Sequence, residues 1–153
     1  MQSLINKLAK DYGSTSFVPH LSLVAGLMAT KNEVADLSAR ISKVAQSLGP
    51  FTVTLSEYGY KNEEHRCLYL LAEPASLTNI YSSLSESFPQ VKNEHFEAMP
   101  HLSVLYGHYP ESTKQQIIAD NPYSPKSFEV SELSLFLTNG SADNWRLVQE
   151  FSL

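Results

Sequence analysis

Along this chain, stretches with apolar residues at every third or fourth position give way to stretches in which apolar and polar residues alternate. Val34, Leu37, Ile41, Val44, Ala45 and Leu48 form a helical stripe. It opens on Thr30-Lys31-Asn32-Glu33, a capping box, and is stopped by Gly49-Pro50. Helical spacing also predicts helices at about 3–11 (Leu4, Ile5, Leu8) and 75–88 (Leu77, Ile80, Tyr81, Leu84, Phe88), and Pro110 precedes a short helix candidate near 111–120. Strands are predicted over Phe51–Ser56, His65–Ala72, Phe128–Leu137 and Trp145–Phe151, with Asn139-Gly140 marking a turn between the last two. Prolines 89, 122 and 125 place loops near 89–99 and 121–127.

The pattern repeats. Val18-Pro19-His20-Leu21-Ser22-Leu23-Val24-Ala25-Gly26 returns as Met99-Pro100-His101-Leu102-Ser103-Val104-Leu105-Tyr106-Gly107. Pro-His-Leu-Ser is identical in both copies, and a chance four-residue match in so short a chain is on the order of a few per cent. Each copy reads as a strand followed by a helix and two more strands. The expectation is an α+β fold: duplicated βαββ lobes related by pseudo-twofold symmetry, two antiparallel sheets facing a central cleft, and helices outside. Residues 1–153 then form a single bilobal domain with motif-bearing halves at about 15–75 and 96–153.

On a strand, residues i and i+2 share a face. His20 and Ser22 therefore point one way and Leu21, Leu23 and Ala25 the other; His101 and Ser103 repeat this against Leu102 and Val104. A lone strand histidine is usually structural, but the duplication singles out His20 and His101 as candidate catalytic groups, with Ser22 and Ser103 beside them. His65, among Lys61-Asn-Glu-Glu-His-Arg66, and His95 and His108 lack such a partner and read as solvated positions.

Composition narrows the chemistry. The chain has 153 residues, 42% of them hydrophobic, and a net charge of −5 from 11 Lys and Arg against 16 Asp and Glu. So acidic a chain is a poor match for a long polyanion, whose nonspecific affinity comes from Lys and Arg displacing counterions, so no stable nucleic-acid complex is expected. One cysteine, Cys67, excludes an intrachain disulfide and a zinc site of paired thiolates, and its strand-like spacing with Tyr69 and Leu71 predicts a buried, inert thiol. Residues 1–10 lack the apolar core of a signal peptide, and no run approaches the ~18 apolar residues of a membrane span. The expectation is a soluble, cytoplasmic monomer. His-x-Ser lacks the spacing that aims two ring nitrogens at one metal, and no Gly-x-Ser-x-Gly elbow marks a serine hydrolase.

Two imidazoles and two hydroxyls suit phosphodiester hydrolysis. The substrate carries a single negative charge. One ring can deprotonate water and the other protonate the departing oxygen, both working near neutral pH. Serine hydroxyls can donate to the nonbridging oxygens, where the pentacoordinate transition state gathers charge. Neither metal nor other cofactor is required.

Paired His-x-Ser motifs in a chain of this size resemble the two-histidine (2H) phosphoesterase superfamily. The tail His101-Leu102-Ser103-Val104-Leu105-Tyr106-Gly107 is similar to its cyclic phosphodiesterase branch. The resemblance implies a two-lobed α+β fold with the motifs facing across a cleft. It also implies hydrolysis of small cyclic phosphates: nucleoside 2′,3′-cyclic phosphates to 2′-phosphates, or ADP-ribose 1″,2″-cyclic phosphate. By that resemblance His20 and His101 are the catalytic pair, Ser22 and Ser103 bind phosphate, and Tyr106 lies near it. Ser22 stands where Thr is commoner. Strict alternation puts Tyr106 opposite His101, so it reaches the cleft only if the strand bends or ends there.

The near-identical motifs do not distinguish the two rings. The resemblance, with Tyr106 beside the second motif, implies that His101 activates water and His20 protonates the leaving oxygen. The competing readings are a 2′,5′-RNA ligase or RNA-end-processing enzyme of the same superfamily, and a non-catalytic nucleotide-binding module. Tyr12, Phe17, Tyr58, Tyr60 and Trp145, near loops or strand ends, are the candidates for base stacking, although a core or surface position is the plainer reading of each.

Overall fold

The computed structural model describes residues 1–89 and 99–153. His95, and most of the proline-bounded loop expected near 89–99, lie outside these. Among the described residues the α-helices are α1 (Gln2–Tyr12), α2 (Glu33–Ser47), α3 (Thr78–Ser87) and α4 (Glu111–Asp120). Six strands are β1 (Phe51–Tyr60), β2 (Leu68–Ala72), β3 (His101–Leu105), β4 (Lys126–Val130), β5 (Glu132–Leu137) and β6 (Arg146–Ser152). The fold is α+β, with two antiparallel sheets: a four-stranded one in the order β3-β2-β1-β4 and a two-stranded one of β5 and β6.

Helices α1, α2 and α3 bury residues of the stripes their spacing marks, and α4 buries one apolar side chain. Ile5 and Leu8 of α1, Leu37, Val44 and Ala45 of α2, Ile80 and Leu84 of α3, and Ile117 of α4 are buried. They close on the apolar residues of the larger sheet, Val53, Leu55, Leu68, Leu70, Leu102 and Val104. At the start of α2 the glutamate half of the capping box forms: Glu33 Oε2 accepts from the Thr30 N–H at 2.7 Å. The threonine half does not. Thr30 Oγ1 donates to the same carboxylate oxygen at 2.7 Å instead of accepting from a backbone N–H.

Three differences from the sequence expectation bear on the site. The single strand expected at Phe128–Leu137 is two, parted at Ser131, with β4 in the larger sheet and β5 in the smaller. The apolar parity changes at the same point: Val130 packs on the core from an even position, Leu133 and Leu135 from odd ones, while Phe128 stays exposed. An unbroken strand would hold Val130 and Leu133 on opposite faces, so packing both on one core requires the chain to turn over between them. Second, the halves exchange partners. The hairpin of β1 and β2, from the first half, pairs with β3, which carries the second motif.

Third, the strand expected at the first motif shrinks to one antiparallel bridge, Leu21 to Leu102, on the free edge of β3. Past it, Ala25 and Gly26 are exposed and Gly26 has φ +75°, a conformation that ends regular pairing. Among the described residues no helix is long and apolar enough to cross a membrane.

Candidate active site

The bridge joins equivalent residues of the two motif copies. An antiparallel pair between equivalent positions has a local twofold axis between its members, so the same register sets His20 across from Ser103 and His101 across from Ser22. The rings are near enough for the charge of one to reach the other: His20 lowers the pKa of His101. The structure thus brings His20 and His101 together from residues 81 positions apart, the spacing of the repeat (101 − 20).

Both rings are held in the same way. His20 Nδ1 lies 2.7 Å from the carbonyl oxygen of Val18, and His101 Nδ1 lies 3.0 Å from that of Met99, in each case the residue two positions back. A carbonyl can only accept, so Nδ1 carries the proton and Nε2 is the nitrogen left to do chemistry. Burial lowers both pKa values below the ordinary imidazole value, and the carbonyl bonds partly oppose it. His65 lowers His20 further; Arg66, His20 and Lys61 lower His101 further.

The serines are not equivalent. Ser103 is buried, and its hydroxyl donates to the carbonyl oxygen of His65 at 2.7 Å. Ser22 is exposed, and no hydrogen bond ties it to the described residues. Only Ser22 is unencumbered as an anion donor in this arrangement.

Tyr106 does reach the site. Strand β3 stops at Leu105, and Gly107, with φ +130°, turns the chain and donates its N–H to the Glu64 carbonyl at 2.9 Å. Freed from alternation, the Tyr106 ring stacks on Phe17 (centroids 3.9 Å, planes 14° apart) and meets the edge of His65 at 4.9 Å. Burial pushes its hydroxyl up to about 12, with the neighbouring Ser103 hydroxyl working the other way. It therefore stays a neutral phenol at any working pH.

Phe17 and Trp145 flank His20 edge-on at 6.1 and 5.7 Å, and Trp145 also sits 6.3 Å from Tyr106. Of the five aromatic candidates, these two lie at the site. Tyr12 packs on Tyr109, Tyr58 on Tyr123, and Tyr60 bonds Glu111, all away from His20 and His101.

Several site residues escape the sequence reading. His65 is exposed, as expected of a solvated position, yet its ring borders Tyr106 and Trp145 and its charge reaches His20. Lys61 and Arg66 act on His101 from the same connection between β1 and β2, with Arg66 Nε held by Glu63 Oε2 at 2.6 Å. Tyr69 lies 5.0 Å from the His101 ring. No local motif marks this hairpin connection; the available signal was its Lys and Arg beside a strand that pairs with the motif. Cys67 is buried as expected, and burial raises its thiol pKa. His108 is exposed. Among the described residues no three His, Cys, Asp or Glu side chains gather as a ligand set.

The model of the 2′-5′ RNA ligase superfamily matches residues 2–142. A solved structure, TT0787 of Thermus thermophilus, superposes with a TM-score of 0.69 at 17% identity, over 99% of this chain and 90% of that one. At that identity the likeness speaks to the fold. No protein with a curated description matches the chain.

Proposed function

The chain belongs to the 2′-5′ RNA ligase superfamily, and from that premise we propose that it hydrolyses small cyclic phosphodiesters by two-histidine acid/base catalysis without a metal ion. Membership carries phosphoesterase- or ligase-type chemistry in general. The observation that supports the narrower reading is the matched pair of histidines, each fixed through Nδ1 with Nε2 open, meeting across a twofold bridge.

In this reading a 2′,3′-cyclic phosphate sits between the two Nε2 atoms. His101 takes a proton from water as its oxygen bonds to phosphorus. The bond from phosphorus to the 3′ oxygen breaks, and His20 gives that oxygen its proton, leaving a 2′-phosphate and a free 3′ hydroxyl. Protons balance, with one taken up and one delivered. Lys61 and Arg66 support this direction of transfer, because cations beside His101 keep its ring neutral and able to act as base. Ser22 donates to a nonbridging oxygen, and Ser103 joins it on releasing the His65 carbonyl. Phe17, Tyr106 and Trp145 offer apolar ring surface beside His20, where the departing ribose and its base would lie. ADP-ribose 1″,2″-cyclic phosphate presents the same five-membered cyclic diester, with its pyrophosphate as additional charge.

The superfamily match favours one second reading: an RNA end, joined or cleaved at a 2′,5′ linkage, in place of a mononucleotide. The acidic chain is against it. Product analysis decides. Wild-type protein is given 2′,3′-cyclic nucleotides, ADP-ribose 1″,2″-cyclic phosphate and short oligonucleotides with cyclic ends or 2′,5′ junctions. Release of 2′-phosphate or ADP-ribose 1″-phosphate from the small substrates supports the proposal, whereas turnover confined to the oligonucleotides selects the RNA reading.

A further inference from the structure

Lys114 of α4 is 3% exposed, and it forms no ion pair among the described residues. Burying an ammonium group without an anion is costly, so its retained contacts indicate what it is for. Nζ donates to the carbonyl oxygen of Lys61 at 2.9 Å and lies 5.3 Å over the centre of the Tyr60 ring. We propose that Lys114 is a positioning residue: its buried ammonium holds the Lys61 carbonyl, and with it the connection 61–66 that carries Lys61, His65 and Arg66 to the two histidines.

That connection has few other anchors. The Lys61 N–H bonds the Arg66 carbonyl across its neck, Ser103 holds the His65 carbonyl, and Gly107 donates to the Glu64 carbonyl. From α4, Lys114 bonds the backbone of the connection itself, whereas Glu111 and Gln115 reach only the hydroxyl of Tyr60 beside it. Its action on the site runs through the loop, because the groups facing His101 are Lys61 and Arg66 (the latter paired with Glu63), His20 of the other motif copy and Tyr69 of β2. Lys114 is not among them. Releasing the Lys61 carbonyl lets the two cations drift from His101, so its titration moves up toward the ordinary imidazole value.

The test rests on His101 being a reacting group, but its first readout needs no substrate. The variants Lys114→Arg, Lys114→Gln and Lys114→Met keep, weaken and remove the donor. The His101 titration is followed by NMR in each unliganded protein, with Tm measured alongside. The expected order of the His101 midpoint is wild type and Arg lowest, Gln between, Met highest. For Met, kcat/KM for a 2′,3′-cyclic nucleotide falls about tenfold at neutral pH through misplacement of the loop. Any two folded members of the series suffice for the ranking. Midpoints that stay put, or that follow Tm instead of the donor, would reduce Lys114 to a packing residue. A shifted midpoint in a protein that turns over no cyclic phosphate would keep this inference and overturn the proposed activity.

Discussion

Leu21 and Leu102, the same position in two copies of one motif, pair with each other antiparallel. The motif residues inherit the twofold relation this creates, including the crossing of each histidine with the other copy's serine. The symmetry then breaks at the side chains: Ser103 is buried and tied to His65, whereas Ser22 is exposed.

The two serines should therefore respond differently. Ser103→Ala removes a buried hydrogen bond and leaves the His65 carbonyl without its donor, lowering stability by about 1–3 kcal/mol as well as rate. Ser22→Ala should leave Tm unchanged and cost roughly 1.5–3 kcal/mol in kcat/KM, with Ser22→Thr recovering most of it. Denaturant titrations beside steady-state kinetics separate the two; equal stability losses would mean the serines share one role.

Acidity should act on both stability and rate. The folded pKa values of His20 and His101 are depressed, chiefly by burial. Their contribution to stability is therefore complete above the ordinary imidazole pKa and is lost as pH falls through the folded values. Tm should drop on acidification, and less so in His20→Ala and His101→Ala. For rate, the working form has one ring protonated, and in the free enzyme that form is most abundant below the ordinary imidazole value. The kcat/KM optimum should lie there, while the kcat profile shifts to higher pH because a bound phosphate anion favours the charged ring. Coincident profiles would contradict this.

Gly59 faces Tyr69 across the β1–β2 pairing, and a Cβ there would stand 2.8 Å from Tyr69 Cζ and 2.9 Å from its hydroxyl oxygen. Gly59→Ala must push the ring that lies against His101. The expected result is a folded protein with kcat/KM reduced on the order of tenfold, relieved by adding Tyr69→Leu. A double variant no better than the single would show that the ring is not the cause.

Much of the fold was legible. Helical spacing located α1, α2 and α3 within a few residues, because their buried stripes carry the period directly, and Pro110 marked the start of α4. Leu37, Val44 and Ala45 of α2 are an example. The repeat gave the histidine pair, since duplication is visible without any knowledge of contacts. What escaped was set by pairing between distant segments. The first motif has the same alternation as the second, but among the described residues it sits on the outer edge of β3 with no strand beyond, and only Leu21 pairs. The break at Ser131 was present in the parity of Val130, Leu133 and Leu135. Lys61, His65 and Arg66 look like an ordinary charged turn until the hairpin is placed against the second motif.

The division of labour between the rings can be reversed experimentally. If His20 is the acid, His20→Ala fails because a ribose alkoxide leaves poorly. A cyclic phosphate with sulfur at the departing 3′ position leaves as a thiolate, roughly stable near neutral pH, and needs little protonation. That substrate should rescue His20→Ala and not His101→Ala. Rescue of His101→Ala alone would exchange the roles.

The most direct measurement is hydrolysis of a 2′,3′-cyclic nucleotide by metal-stripped protein in excess EDTA, for wild type and for His20→Ala and His101→Ala. The account predicts full wild-type turnover, a loss of about 10²–10⁴ in rate for each variant, and unchanged Tm at neutral pH. Wild-type activity that vanishes in EDTA and returns with a divalent ion, or variants that turn over like wild type, would contradict it.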